Sequence, residues 1–173
     1  MKHILITGPS GAGKSTLIRR LLEAWALPYG GFMTKKEAKD ESGYHPIYIH
    51  PAARSLDQRQ FAEENRIGSC DKRIHDKKPE VFETLGLAYL QNRPEGGIIV
   101  MDELGFMEAR APGFQAAVLE LLEGETLVLA AVKSKAETPF LQALHSHPRA
   151  KVYALGPENR EELFQILVKQ KPY

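Results

Sequence analysis

Short apolar runs alternate along the chain with longer segments in which apolar residues recur every three or four positions. The first run, HILIT at residues 3–7, predicts a strand buried on both faces. The spacing of the next apolar side chains predicts a helix that begins near Ser15; these are Leu17, Ile18, Leu21, Leu22 and Trp25. Pro28 and the glycines at positions 30 and 31 are expected to close this first unit.

A hairpin and a segment without clear period follow. Residues 32–39 and 44–50 flank the sequence Asp40-Glu41-Ser42-Gly43, whose turn chemistry predicts a β-hairpin with a positive φ at Gly43. Residues 51–78 alternate charged residues with single apolar ones, a pattern compatible with strand fragments or with a mobile loop. After Pro79 a helical spacing predicts a helix that ends near Asn92.

The second half of the chain repeats the alternation of buried strands and amphipathic helices. Strands are predicted at 98–101, 126–132 and 151–155, and helices at 114–122, 137–147 and through 163–167. Such an order indicates a mostly parallel sheet with helices on both faces. We therefore predict an α/β fold of three layers, α/β/α, with the β-hairpin as an insertion and with residues 1–173 forming a single domain.

Composition narrows the classes of partner. Lysine and arginine together number 23 and aspartate and glutamate 22, which leaves a net charge of +1 and no broad basic surface for nucleic acid or membrane. The charged stretch between residues 66 and 78 lacks interleaved aromatic residues and is interpreted as a solvated loop. A single cysteine, Cys70, and an N-terminal sequence without a signal-peptide pattern predict a cytoplasmic protein.

The sequence GPSGAGKST carries the clearest chemistry. Gly8, four further residues and then Gly13-Lys14-Ser15 form the P-loop spacing, between a predicted buried strand and a predicted helix. Glycines let successive backbone amides converge on one anion, and the helix adds the positive end of its dipole. We predict that the whole loop binds the phosphates of a nucleotide, through Gly8, Pro9, Ser10, Gly11, Ala12, Gly13, Lys14, Ser15 and Thr16.

A pair of carboxylates supplies the second half of the candidate site. Asp102 and Glu103 follow the strand IIVM at its carboxyl end, where open α/β sheets bind ligands. We predict that Ser15 and Asp102 hold Mg²⁺. Lys14 is expected to reach the β and γ phosphates, and Glu103 to polarise the water that attacks the γ phosphate.

These motifs resemble the small P-loop nucleoside-triphosphatase family to which a human cancer-related nucleoside-triphosphatase belongs. The likeness covers about residues 3–168 and rests on GPSGAGKST, GGFMTKK, VMDELGFME and LGPENR. The most specific parts are DE-x-G-x-M-E and P-E-N-R. The resemblance implies a P-loop NTPase fold and slow, Mg²⁺-dependent hydrolysis of ATP, GTP and other nucleoside triphosphates, with Glu103 as base and Lys14 as charge stabiliser.

One segment departs from the family pattern. Where family members carry a V-G-K/R-Y-like sequence, this chain reads RIGSCDKRIH, with Ser69 and Cys70 at the basic and aromatic positions. Lys72 or Arg73 is a candidate to replace the missing cation. Near the C-terminus, Asn159 and Arg160 follow the last predicted strand, and they either contact the nucleotide base or only begin a helix.

Two other functions would use the same motifs. A kinase for a nucleoside or another metabolite would use Asp102 or Glu103 to take the acceptor's proton, with residues 51–95 as a helix-rich lid. A nucleotide-dependent switch would use hydrolysis as a timer, although the chain lacks the N-K-x-D-like tetrapeptide of common GTPase switches. All three functions have a nucleoside triphosphate as ligand. The sequence predicts no membrane or nucleic-acid partner and leaves a protein partner open.

Overall fold

The strands form one sheet. The computed structural model describes residues 2–172, apart from the side chain of Leu56. The strands are β1 (His3–Thr7), β2 (Tyr29–Lys36), β3 (His45–Pro51), β4 (Arg66–Cys70), β5 (Ile74–His75), β6 (Ile98–Leu104), β7 (Val128–Val132) and β8 (Ala150–Ala154). Their order across the sheet is β5-β4-β3-β2-β6-β7-β1-β8.

Helices cover both faces of this sheet. They are α1 (Lys14–Trp25), α2 (Pro79–Val81), α3 (Leu87–Gln91), α4 (Pro112–Glu123), α5 (Pro139–His145) and α6 (Arg160–Val168), and a π-helical turn at Phe82–Gly86 joins α2 to α3. The apolar side chains of α1 and α6 form one core, and those of α2 to α5 form the other. The predicted three-layer α/β/α fold is therefore confirmed. Within residues 2–172, no helix combines the length and the apolar character needed to cross a bilayer.

The sheet has a parallel part and an antiparallel extension. β2, β6, β7, β1 and β8 are parallel. β3 pairs with β2 as the predicted hairpin, and Gly43 in its turn has a φ of 79° as expected. β4 and β5 continue the antiparallel extension, so residues 51–78 contain strand fragments. The segment 51–95, which the kinase alternative would use as a helix-rich lid, is only partly helical: residues 79–91 form helices, whereas 66–70 and 74–75 add strands to the sheet edge.

The glycines at positions 30 and 31 do not close the first helix. α1 ends at Trp25, and Ala26 stops it by adopting a left-handed conformation with a φ of 49°. The two glycines lie inside β2, beside β6. Gly31 has a φ of 93°, and a Cβ there would overlap the backbone carbonyl of Val100. Only glycine fits this close approach, which explains why the composition of a turn appears within a strand.

The strand order brings the candidate residues to one edge. β7 lies between β1, which precedes the P-loop, and β6, which carries the two carboxylates. Because these strands are parallel, their carboxyl ends meet at the same edge of the sheet. β6 extends to Leu104, so Asp102 and Glu103 lie within the strand, just before its last residue, rather than in the loop after it.

Candidate active site

Three glycines shape the loop between β1 and α1. Gly11 and Gly13 have φ angles of 76° and 101°, in the left-handed region, and Gly8 has a φ of 157°. The turn is closed by a hydrogen bond of 3.1 Å from the Ala12 N–H to the Pro9 carbonyl. Gly13 leads directly into α1 without a side-chain cap. The first amides of the helix therefore face the predicted phosphate position with no competing side chain from Gly13.

Lys14 connects the P-loop to the acidic pair. Its side chain is buried, and Nζ donates to the Gly8 carbonyl at 3.0 Å and to the Pro9 carbonyl at 3.2 Å. The same Nζ lies 3.2 Å from Oε2 of Glu103. In this structure, the ammonium that is predicted to bind phosphate is thus hydrogen-bonded to carbonyls of its own loop and ion-paired with Glu103.

Glu103 is held by a second lysine that the sequence analysis did not identify. Oε1 of Glu103 lies 2.6 Å from Nζ of Lys133. Lys133 follows β7 directly, and its backbone N–H donates to the Leu104 carbonyl at 2.9 Å. A signal was present in the sequence, because Lys133 comes immediately after a buried strand whose carboxyl end had to lie near Glu103. No motif spacing marked it, however.

Asp102 is buried beside the N-terminus of α1. Its side chain is 5% exposed, and burial raises its pKa to about 6, against the lowering effect of a hydrogen bond from the Ser15 side chain. The predicted Mg²⁺ ligands therefore lie side by side. A hydroxyl and a carboxylate are hard oxygen donors of the kind Mg²⁺ prefers, and a cation beside the desolvated carboxylate of Asp102 would favour its ionised form. The pair therefore fits a divalent cation.

Glu108 is a further buried acid near the site. It is 1% exposed, and burial raises its pKa to about 7. The Gly105 N–H donates to Oε1 of Glu108 at 2.5 Å, while Oε2 has no hydrogen-bond partner within residues 2–172. This contact folds the loop after β6, so that Phe106 and Met107 face the P-loop. Glu108 closes the DE-x-G-x-M-E motif, but nothing in the sequence indicated its burial.

The P-loop opens into a cavity of about 750 Å³. It is lined by Lys14, Glu103 and Lys133, and also by Lys72 and Arg73 from the turn between β4 and β5. The two candidate replacement cations therefore line the same cavity as the P-loop. Their role stays a prediction.

Comparison with known proteins identifies the family of the chain. Residues 3–168 match the family model described as NTPase. The chain belongs to the NTPase family. Nucleoside-triphosphatase THEP1 of Methanothermobacter thermautotrophicus is 30% identical to it, over 95% of this chain and 93% of that protein. A cancer-related nucleoside-triphosphatase homolog of Bos taurus is 28% identical, over 96% and 95% of the two chains.

Solved structures of the family share the fold. The crystal structure of THEP1 from Aquifex aeolicus superimposes with a TM-score of 0.75 at 21% identity and covers 99% of both chains. The solution structure of a human cancer-related nucleoside triphosphatase gives 0.67 at 25% identity, covering 98% of this chain and 97% of that one. The resemblance and the fold class expected from the sequence are confirmed.

In this member of the NTPase family, the described structure brings most predicted site residues to one edge of the sheet. The P-loop, Asp102 and Glu103 meet there. The guanidinium of Arg160 lies beside Gly13, where a Cβ would be 3.6 Å from Nε of the arginine. Asn159 is engaged in its own loop, since it accepts from the Gly156 N–H and donates to the Ala154 carbonyl, both at 2.9 Å.

Proposed function

We propose that this NTPase-family enzyme hydrolyses nucleoside triphosphates, including ATP and GTP, between the β and γ phosphates with Mg²⁺ as cofactor. The contact that carries the proposal joins Nζ of Lys14 to Oε2 of Glu103 at 3.2 Å. It places a carboxylate beside the P-loop lysine that contacts the terminal phosphate in such sites. The names of the relatives, nucleoside-triphosphatases, support the same reaction class.

Binding would exchange the partners of Lys14. Its ammonium now bonds to two backbone carbonyls and to Glu103. A triphosphate tail in the P-loop offers this cation more negative charge than the carbonyls do, and charge-assisted bonds to phosphate are the stronger ones. Glu103 would then keep Lys133 as its cationic partner and would be free to accept a hydrogen bond from water.

Ser15 and Asp102 would hold Mg²⁺, which supplies charge neutralisation for the phosphates when bound. Glu103 orients a water for in-line attack and accepts its proton as the new oxygen–phosphorus bond forms. The bond from the γ phosphorus to the bridging oxygen breaks, and the products are a nucleoside diphosphate and inorganic phosphate. Lys14 stabilises the charge that develops on the transferred group.

The decisive experiment replaces Glu103 by glutamine. Glu103→Gln keeps the size of the side chain but cannot accept the proton, so we expect retained Mg²⁺-nucleotide binding with hydrolysis slowed by roughly 10²-fold. Phosphate release is measured for ATP, GTP, CTP and UTP, with and without Mg²⁺. Lys14→Ala is the companion variant and should weaken binding and hydrolysis together.

Each alternative function has a distinct signature in the same assay. Near-normal turnover by Glu103→Gln would overturn its assignment as the base. Phosphate release that needs an added acceptor would favour a kinase. A nucleotide-dependent protein complex, seen with triphosphate analogues but not with diphosphates, would favour a switch.

A further inference from the structure

A second cavity, of about 480 Å³, is lined by residues of α1 and β2 and by the segment after β3. We call it the α1–β2 groove. It shares Ser15, Thr16, Thr34 and Asp102 with the P-loop cavity, but neither Lys14 nor Glu103 lines it. Its volume falls in the range of small-molecule binding sites. The groove is therefore a separate space that meets the predicted metal site at one end.

The charge of the groove is strongly positive. Its cationic residues are Arg19, Lys35, Arg54 and Arg59, and Asp102 is the acidic residue among those that line it. Arg19 lies 4.0 Å from Glu23, and Lys35 lies 3.8 Å from Glu37. Within residues 2–172, neither Arg54 nor Arg59 forms an ion pair with a carboxylate. Two arginines thus face the groove without a directly paired carboxylate, although Asp102 acts on Arg59 from a greater distance.

Arg59 shows the clearest lack of a partner. Its side chain is half-buried, and its Nε is fully buried without a hydrogen-bond acceptor in the described part of the chain. Its guanidinium lies against the sulfur of Met33. Burial, together with the charges of Arg59, Arg54 and Lys35, lowers the pKa of nearby His50 to about 4. Positive charge is therefore concentrated here against the single carboxylate of Asp102, and a ligand that brings an anion would offset the cost of burying it.

The remaining wall is apolar. Ile18 and Leu22 of α1 face this space together with Tyr29 and Met33 of β2. Such a wall accommodates a flat or apolar body, while a guanidinium fork matches the oxygens of a phosphate group. We propose that the α1–β2 groove binds a second small molecule, a phosphomonoester with a planar body such as a nucleoside monophosphate, through Arg54 and Arg59. The site lies away from Lys14 and Glu103, which do not line it, and its occupation does not depend on hydrolysis.

The methionines of the chain allow a direct test. Met33 lines the groove, Met107 lines the P-loop cavity, and Met101 is fully buried in the core. Protein labelled with ¹³C at the methionine methyl groups is titrated with AMP, GMP, CMP and UMP, and in parallel with the matching nucleosides and with inorganic phosphate. The titrations are run in the wild type and in the Lys14→Ala variant, which disables the P-loop. In the variant we expect a saturable shift of the Met33 methyl signal with at least one monophosphate, and no shift of Met107.

Substitutions of the two arginines complete the test. Arg54→Gln and Arg59→Gln should each raise the dissociation constant reported by Met33 about tenfold or more, because each removes charged hydrogen bonds to phosphate. Arg93→Gln is the matched control, since Arg93 is exposed and lines neither cavity. Folding of each variant is verified from the Met101 signal.

Three results overturn the proposal. The first is a Met33 signal that no monophosphate shifts. The second is a shift that the nucleosides produce equally well, or that both arginine variants retain. The third is binding that moves only Met107 and disappears in Lys14→Ala, which would place the monophosphate in the P-loop. None of these results depends on whether the enzyme hydrolyses triphosphates, so failure here and failure of the proposed hydrolysis are distinguishable.

Discussion

At the scale of single residues, the candidate site is a chain of charges. Lys14 contacts Glu103 through one carboxylate oxygen, and Lys133 contacts it through the other. The carboxylate is about one-fifth exposed, so its two cations act in a partly desolvated space where charge–charge contacts are stronger than in water. When a phosphate recruits Lys14, the orientation of Glu103 rests on Lys133. We therefore regard Lys133 as a positioning residue.

Lys133→Met tests this role. Removing the ammonium leaves Glu103 free to adopt other rotamers once nucleotide is bound, so we expect kcat to fall about tenfold with little change in KM. Lys133→Arg should restore part of the rate, which a purely structural role would not require. Lys135→Met is the control, because Lys135 is exposed and, in the described part of the chain, pairs with Glu137 at 3.7 Å rather than with Glu103. A raised KM with unchanged kcat would contradict the role.

Glu108 should make the stability of the protein depend on pH. Its pKa rises from 4.5 in the unfolded chain to about 7 in the folded one, first because of burial. The folded state therefore holds a proton between these values that the unfolded state has released, and stability falls as pH rises through this window. The shift amounts to about 3 kcal/mol, taking roughly 1.4 kcal/mol per pKa unit.

Glu108→Gln is expected to remove that contribution. Glutamine can still accept from the Gly105 N–H and does not titrate. Urea unfolding at pH 5 and pH 8 should show a smaller loss of unfolding free energy in the variant than in the wild type. The comparison cancels the other titrating groups, Asp102 included. An identical loss in both proteins would show that Glu108 stays ionised in the folded state.

At the scale of elements, the parallel pairing of β2 with β6 depends on Gly31. Its φ of 93° is unfavourable for other residues, and a Cβ would also collide with the backbone carbonyl of Val100, which cannot move without breaking the sheet. Gly31→Ala should therefore cost about 3 kcal/mol or more. Gly43→Ala is the control, with a φ of 79° but open space around it, and should cost about 1 kcal/mol. Equal losses in urea unfolding would refute the steric argument.

The elements that could be predicted are those whose pattern is local. HILIT and IIVM are buried on both faces, and the period of α1 is carried by its own residues, so the sequence alone indicated their type. β4 and β5 are short strands at the sheet edge, with fewer buried residues to create a period. Gly31 was misjudged because glycine marks both a turn and a close approach of two backbones, and only the neighbouring strand distinguishes them.

The residues of the candidate site also fall into those that local sequence predicted and those that it did not. The P-loop and the acidic pair are encoded by spacing within single segments, and the structure brings them together as expected. Lys133 and Arg59 contact residues far away in sequence, Glu103 and Met33, and Glu108 is buried although it lies in a loop. A lysine after a strand, an arginine in an aperiodic segment and a glutamate in a loop are all ordinary surface residues until the sheet order is known.

At the scale of the whole molecule, the antiparallel extension of the sheet contributes residues to the P-loop cavity. β3, β4 and β5 continue the sheet beyond β2, and the turn between β4 and β5 returns to the P-loop cavity. The turn is ordered by Asp71, which accepts from the Arg73 N–H at 2.7 Å and donates its own N–H to the Arg73 carbonyl at 3.0 Å. The neighbouring Lys72 is thereby presented to the cavity from outside the phosphate-binding core.

Lys72→Ala and Arg73→Ala test whether this turn supplies the cation that the segment RIGSCDKRIH of this chain lacks at the family's basic position. A cation that faces the terminal phosphate stabilises its charge in the transition state, so loss of the responsible residue should lower kcat/KM about tenfold. Lys77→Ala is the control, because Lys77 is exposed in the same region but does not line the cavity. Steady-state phosphate release at low ionic strength gives the comparison, since screening by salt would mask an exposed charge. Unchanged rates in both variants would show that neither residue supplies this cation.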